Sequence, residues 1–167
     1  ILLTTARLYG SLDEHTKAQN LIKKAHKVAD NSGGHAIQWR LKVAEAEILS
    51  YTGDYKQALE LVTEACAKTG ELGDFWGSLD AQLQLVWLSL LTADTGTALK
   101  TASKVRDMAG VYGYPVLTTL IESLEGIARY SRRGAGAAKK VLGYEQAIDF
   151  PYEAALYSGR LQVILQG

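Results

Sequence analysis

The chain has 167 residues, and its 18 Lys and Arg balance its 18 Asp and Glu, so the net charge is zero. This balance removes the strongest sequence-level reason to expect nucleic acid or an acidic membrane surface as a direct partner. Hydrophobic residues make up 47% of the chain, which is enough for a packed core. The single cysteine, Cys66, excludes a disulfide within the chain, so a reducing compartment is expected and a cytoplasmic location is predicted.

Helix-forming residues dominate the chain, which contains only two prolines, Pro115 and Pro151. Few segments alternate with a period of two, and no apolar run is long enough to cross a membrane. We therefore predict an all-α chain without β-sheet, of about nine helices. In chain order they span about 1–11, 14–30, 36–51, 55–69, 76–91, 95–110, 116–131, 135–149 and 152–166.

These helices repeat with a period of 40 residues. When the repeats are aligned, residues spaced by 40 form five columns, each with its own residue type. Two columns hold small residues, two hold apolar residues, and one holds glycine. Small residues let two antiparallel helices approach closely, while the larger apolar residues fill the space between them. The columns are Ala18, Ala58, Ala98 and Ala138; Ala6, Ala46, Val86 and Gly126; Leu8, Ile48, Leu88 and Ala128; Ile22, Val62, Ala102 and Leu142; and Gly33, Gly73 and Gly113.

Each repeat is predicted to contain helix A, a tight turn, helix B and a glycine-containing loop. The glycine column lies past helix B, where a positive φ is expected. Asp13, Asp54 and Asp94 lie at the A–B turns, where a carboxylate can cap helix B. The predicted units are approximately 1–32, 33–72, 73–112, 113–150 and a partial unit at 151–167, all within one domain. Because the pattern begins and ends inside helices, a fragment of a longer protein is expected.

The second unit resembles a tetratricopeptide repeat. It has Ala46 in the middle of helix A, a Gly53-Asp54-Tyr55 turn, and Ala58 and Ala65 on helix B. The first unit matches moderately, and the third and fourth match less well, with Ala93 and Arg133 in place of the turn glycine. The long period resembles a subset that includes the sensor arms of MalT-like and LuxR-type regulators, peptide-pheromone receptors and spindle-orientation scaffolds.

This resemblance implies a right-handed superhelical array of antiparallel helix pairs, whose A helices line a concave groove. Residues spaced by 4, 7 and 11 then share one stripe of a helix. The implied groove holds aromatic residues and charges of both signs, the residue types that dominate binding hot spots. The candidate partner-binding residues are Arg40, Glu47 and Tyr51 in the second unit, and Asp80, Gln84 and Trp87 in the third. For Trp87, packing between helices is an equally weighted alternative.

Signals for catalysis are weak. No Cys and His pair has zinc spacing, and the three histidines, His15, His26 and His35, are interpreted as structural or solvated. Basic residues around 132–140 open a predicted helix and could hold a phosphate, but they lack a P-loop pattern and are interpreted as a solvated turn. No cofactor or metal is therefore expected, and the chain is predicted not to be an enzyme.

The predicted function is binding of a protein or peptide in the concave groove. The resemblance favours the partner- or ligand-sensing arm of a MalT-like or LuxR-type signalling regulator. A scaffold or assembly subunit of a multiprotein complex is the first alternative, and the helical-repeat part of an enzyme is the second. The repeats alone do not separate these, because the discriminating domains are expected outside the chain.

Overall fold

The structure of the protein is a computed structural model, and it describes residues 1–32 and 35–112 together with residues 121, 122 and 125. Six α-helices run through the two described ranges, and these ranges contain no strand. Residues 121, 122 and 125 are also helical. The helices are α1 Leu2–Ser11, α2 His15–Ser32, α3 His35–Thr52, α4 Tyr55–Glu71, α5 Phe75–Leu91 and α6 Thr95–Tyr112.

The all-α prediction is confirmed for this part of the chain, where six of the nine predicted helices lie. The predicted B helices end about two residues early, because helix α4 continues through Gly70 and terminates only before the turn at Gly73. The helix predicted at 116–131 is described at three residues only. Those predicted at 135–149 and 152–166 lie outside the described residues, and the superhelical array stays a prediction.

Neighbouring helices pack against one another in the first part of the chain. Helix α1 packs on α2, and α3 packs on α4, as expected for A and B helices joined by a tight turn. Helix α3 also contacts α1 and α2. The first helix pair therefore packs against the second through both of its helices.

The small-residue columns lie where the repeat places them. Ala6, Ala46 and Val86 on the A helices are fully buried, and so are Ala18, Ala58 and Ala98 on the B helices. The apolar column that contains Ile48 and Leu88 is buried in α3 and α5, but Leu8 of α1 is exposed.

Four tight turns between the helices share one backbone geometry. In each turn, one residue adopts positive φ, and the N–H of the next residue donates to the carbonyl five positions earlier, as in Asp54 to Leu49 at 3.0 Å. This arrangement satisfies helix carbonyls that would otherwise lack donors. The residues with positive φ are Asp13 (60°), Gly53 (83°), Gly73 (66°) and Ala93 (60°).

Two capping expectations need correction. Asp94 caps α6 as predicted, since its Oδ1 accepts from the Thr97 N–H at 3.0 Å. Asp54 occupies the N-cap position of α4, yet its side chain makes no capping hydrogen bond. The prediction for Asp13 is wrong, because Asp13 is the positive-φ residue of its turn. Helix α2 instead begins from Glu14, whose carbonyl accepts the Ala18 N–H.

The chain divides into two compact units, Ile1–Leu88 and Ser89–Gly167. The first contains α1 to α4 and most of α5, together with all six candidate binding residues. The second contains α6, where Arg106 pairs with Glu125 at 2.8 Å. The prediction of a single domain over 1–167 stays a prediction.

Candidate partner-binding face

Arg7 of α1 connects three successive A helices within the unit Ile1–Leu88. Its Nε lies 3.0 Å from Glu47 Oε2 on α3, and its Nη2 donates to Asp80 Oδ2 on α5 at 2.6 Å. The side chains of Arg7 and Asp80 are 28% and 38% exposed. One half-buried guanidinium therefore joins two carboxylates from neighbouring A helices.

Glu47 is a buried carboxylate with a partner at each oxygen. Arg7 lies at Oε2, and the Tyr51 hydroxyl, one turn further along α3, donates to Oε1 at 3.1 Å. A buried carboxylate is costly unless it is paired and hydrogen-bonded, and these two contacts meet that requirement. Glu47 and Tyr51 are thereby held together on one stripe of α3.

Arg40, near the start of α3, pairs with Asp74, which precedes α5. Its Nε donates to Asp74 Oδ2 at 3.0 Å, and its Nη2 donates to Oδ1 at 2.6 Å, which is a bidentate geometry. The Gly77 N–H also donates to Asp74 Oδ1 at 3.0 Å. The Arg40 guanidinium, with a smaller contribution from Gly77, holds the pKa of the Asp74 carboxyl below its ordinary value.

Gln84 and Trp87, the other two candidate residues, are both buried on α5. Trp87 is 5% exposed, which corresponds to the alternative of packing between helices. The Nε2 of Gln84 is buried and has no hydrogen-bond acceptor among the described residues. Glu47 is buried as well, so the exposed part of the candidate set is formed by Arg40, Asp80 and Tyr51.

Arg40 and Glu47 lie seven residues apart on α3, which is too far for an ion pair along that helix. They do not pair with each other, but Arg40 pairs with Asp74 and Glu47 pairs with Arg7. The seven-residue spacing excludes only a contact along the same helix.

Sequence reasoning missed Arg7 and Asp74. Arg7 lies 40 residues before Glu47, so extending the stripe by one unit toward the N-terminus would have included it. Asp74 lies in a turn, and no periodic pattern indicated its pairing with Arg40.

We use the name A face for five side chains. Arg7, Glu47, Asp80 and Tyr51 are connected by ion pairs and a hydrogen bond, and Arg40 borders them.

The A face offers ionic and hydrogen-bonding groups. Within the described residues, no group of three or more His, Cys, Asp and Glu side chains could hold a metal ion. None of the described helices combines the length and the apolar character needed to span a bilayer.

Comparison of the chain with protein-family models, with curated proteins and with solved structures found no match. The tetratricopeptide resemblance therefore stays a prediction from the residues themselves.

Proposed function

We propose that this chain is a protein- or peptide-binding helical-repeat module and that its A face is the contact surface. The observation that carries the proposal is the convergence of side chains from α1, α3 and α5, joined by Arg7 at 3.0 Å from Glu47 and 2.6 Å from Asp80. Such a surface combines both charge signs with an aromatic residue, which suits a partner through electrostatic complementarity and hot-spot area.

Binding rather than catalysis is proposed, because the groups of the A face form ion pairs with one another and not a nucleophile with its base. A bound cofactor or metal contacted by these residues would support the alternative of an enzyme's helical-repeat part. The A face serves equally well in a scaffold or assembly subunit, and the charges alone favour neither this role nor a regulator.

Within the binding class, the 40-residue period supports the sensing arm of a MalT-like or LuxR-type regulator. The full-length sequence tests this parentage. A nucleotide-binding domain upstream and a helix-turn-helix domain downstream would establish the regulator. Assembly domains in their place would establish the scaffold.

The binding role is tested with two matched tyrosine variants. Tyr51 lies on the A face, whereas Tyr55 starts α4, and both are partly exposed. Short peptides are selected from a displayed library against the whole chain, and their Kd values are measured by calorimetry. Tyr51→Ala is expected to weaken the selected peptides by roughly 2 kcal/mol, the scale of a hot-spot truncation, while Tyr55→Ala leaves them unchanged.

Equal affinities for both variants, with melting temperatures showing both to be folded, would remove the A face as the contact surface. Tyr51→Phe serves as a further control, because it keeps the ring and removes the hydroxyl that donates to Glu47.

A further inference from the structure

We propose that His26 forms a pH-dependent contact between the first and the second helix pair, and that protonation of its ring strengthens the packing of α2 on α3. His26 lies on α2, and its ring contacts Gln38 and Glu45 of α3. Helices α2 and α3 pack on each other where the first two predicted units meet. This role concerns regulation and does not depend on the proposed binding function.

The hydrogen bonds of Gln38 determine which ring nitrogen of His26 carries the proton. A carboxylate only accepts hydrogen bonds, so the amide nitrogen of Gln38 must face Asp30, and it donates to Asp30 Oδ1. The amide oxygen of Gln38 then lies 3.0 Å from His26 Nδ1. Because this oxygen also only accepts, Nδ1 carries a proton whether the ring is neutral or charged.

The other ring nitrogen of His26 meets a carboxylate. Its Nε2 lies 3.4 Å from Glu45 Oε2. In a neutral ring that is protonated at Nδ1, Nε2 presents a lone pair to the lone pairs of the carboxylate. In the charged ring, Nε2 carries a proton and forms an ion pair with Glu45. Protonation therefore replaces a repulsive contact between α2 and α3 with an attractive one.

The same two positions of the repeat hold a permanent ion pair later in the chain. Arg106 and Glu125 each lie two repeat periods after His26 and Glu45. Arg106 Nη1 lies 2.8 Å from Glu125 Oε1. A cation on a B helix thus faces a carboxylate on the following helix in both places. Histidine at the first of them makes this cation dependent on pH, because histidine changes its charge near neutrality.

The remaining charged groups near this junction are engaged elsewhere or lie on α2 itself. The other described charged side chains of α1 and α3 form ion pairs with groups outside α2. They are Arg7, Arg40, Lys42 and Glu47. On α2, Lys23 lies about one turn before His26 and opposes its charge, whereas Asp30 lies about one turn after it and favours the charge. Glu45 is therefore the charged group through which the ring acts on α3.

The junction also carries part of the A face. Helix α3 packs on α1 as well as on α2. Arg7 of α1 lies 3.0 Å from Glu47 of α3. A firmer packing of the first helix pair on α3 therefore holds these two groups of the A face together, so the A face should be more rigid in mildly acidic than in mildly alkaline solution.

The experiment measures urea unfolding of the whole chain at about pH 8 and about pH 5, between which histidine changes its charge. From the higher to the lower pH, wild type is expected to gain about two- to fivefold in its folded-to-unfolded ratio relative to Glu45→Gln, the scale of one partly exposed ion pair. His26→Arg carries a permanent cation, as Arg106 does, and should show no such gain. The control His15→Gln, at the other histidine of α2, should keep the gain of wild type.

Nitrogen NMR shifts of the His26 ring test the proposal without any substitution. At the higher pH the ring is expected to carry its proton on Nδ1, and at the lower pH on both nitrogens. A neutral ring with its proton on Nε2 would overturn the proposal, since Nε2 would then already donate to Glu45. Equal gains in wild type and folded Glu45→Gln would overturn it as well. If Glu45→Gln fails to fold, the tautomer in wild type decides, and either result leaves the proposed function standing.

Discussion

Individual backbone conformations explain how the chain closes its turns without a glycine in each of them. The turn residues Asp13, Gly53 and Ala93 lie 40 residues apart and share a positive φ. Only glycine adopts this conformation without a steric cost. The tertiary context therefore imposes the same turn on an aspartate and an alanine, at some cost in stability.

Ala93→Gly is expected to raise the free energy of unfolding by about 0.5–1 kcal/mol. Removal of the Cβ relieves the left-handed strain, and this gain exceeds the greater chain entropy of glycine. Gly53→Ala should lower stability for the opposite reason, although no atom lies within 4 Å of the added Cβ. Urea denaturation measures both changes. Destabilisation by Ala93→Gly would show that the alanine is not strained.

The two tryptophans of α5 have opposite environments. Trp87 is 5% exposed and Trp76 is 50% exposed. Trp87→Ala is expected to cost roughly 3–5 kcal/mol of stability through the cavity that it leaves. Trp76→Ala should cost no more than about 1 kcal/mol. Thermal unfolding with peptide affinity measured in parallel checks this expectation, and a stable Trp87→Ala protein with lost affinity would instead place Trp87 in the binding surface.

The Asp74–Arg40 pair gives stability a defined pH dependence. Arg40 lowers the pKa of Asp74 in the folded state. The contribution of this pair is therefore complete above the ordinary pKa of an aspartate and is lost as the pH falls through the lowered value. Asp74→Asn keeps a side-chain oxygen for the Gly77 N–H but loses the charge. The difference in free energy of unfolding between this variant and wild type should therefore be constant near neutral pH and should shrink in acid. Urea midpoints over a pH series measure it, and a constant difference in acid would contradict the assignment.

At the level of helices, burial distinguishes the A helices α3 and α5 from the B helix α4. Residues 46–50 of α3 and 86–90 of α5 are all buried, whatever face they occupy. In α4, by contrast, the buried residues Ala58, Val62, Ala65 and Thr69 form one stripe. Helix α3 contacts α1, α2 and α4, so neighbours cover it on several sides. A continuous buried segment is thus the signature of a helix that is surrounded by others.

Two glycines in adjacent helices should respond oppositely to alanine. In α4, Gly70→Ala is expected to stabilise the protein by about 0.5–1 kcal/mol, because nothing lies within 4 Å of the new Cβ and alanine favours helix. In α5, a Cβ at Gly77 would meet the Asp74 carboxylate and would lie 3.0 Å from Thr69 Cγ2.

Gly77→Ala should therefore lower stability despite its better helix propensity, because Asp74 must leave its position between Arg40 and the Gly77 N–H. Thermal melts of the two alanine variants make the comparison. Stabilisation by both would show that Asp74 moves aside without loss.

At the scale of the molecule, the repeat and the A face depend on contacts of different sequence separation. The repeat arises from contacts between consecutive helices, as in other repeat architectures. The Arg7–Asp80 contact joins residues that are 73 positions apart, and it lies within the single compact unit Ile1–Leu88. The zero net charge is consistent with a surface on which acidic and basic side chains form ion pairs.

For the described residues, the sequence by itself determined the six helices, their bounds to within about two residues, and the burial of the small-residue columns. These features depend on local hydrogen bonding, side-chain periodicity and close helix approach, all of which leave a short-range pattern. The same reasoning misplaced the cap at Asp13, because it relied on residue type and ignored the αL position that the turn requires.

Only the tertiary structure decided which charges meet. The pairing of Arg7 with Glu47 and Asp80, the pairing of Arg40 with Asp74, and the burial of Trp87 all depend on helices that are distant in sequence. The stripe on each helix was predictable because its residues share one helical surface. Their partners were not, because an ion pair between helices depends on how those helices are placed in space, and a one-dimensional pattern does not contain that distance.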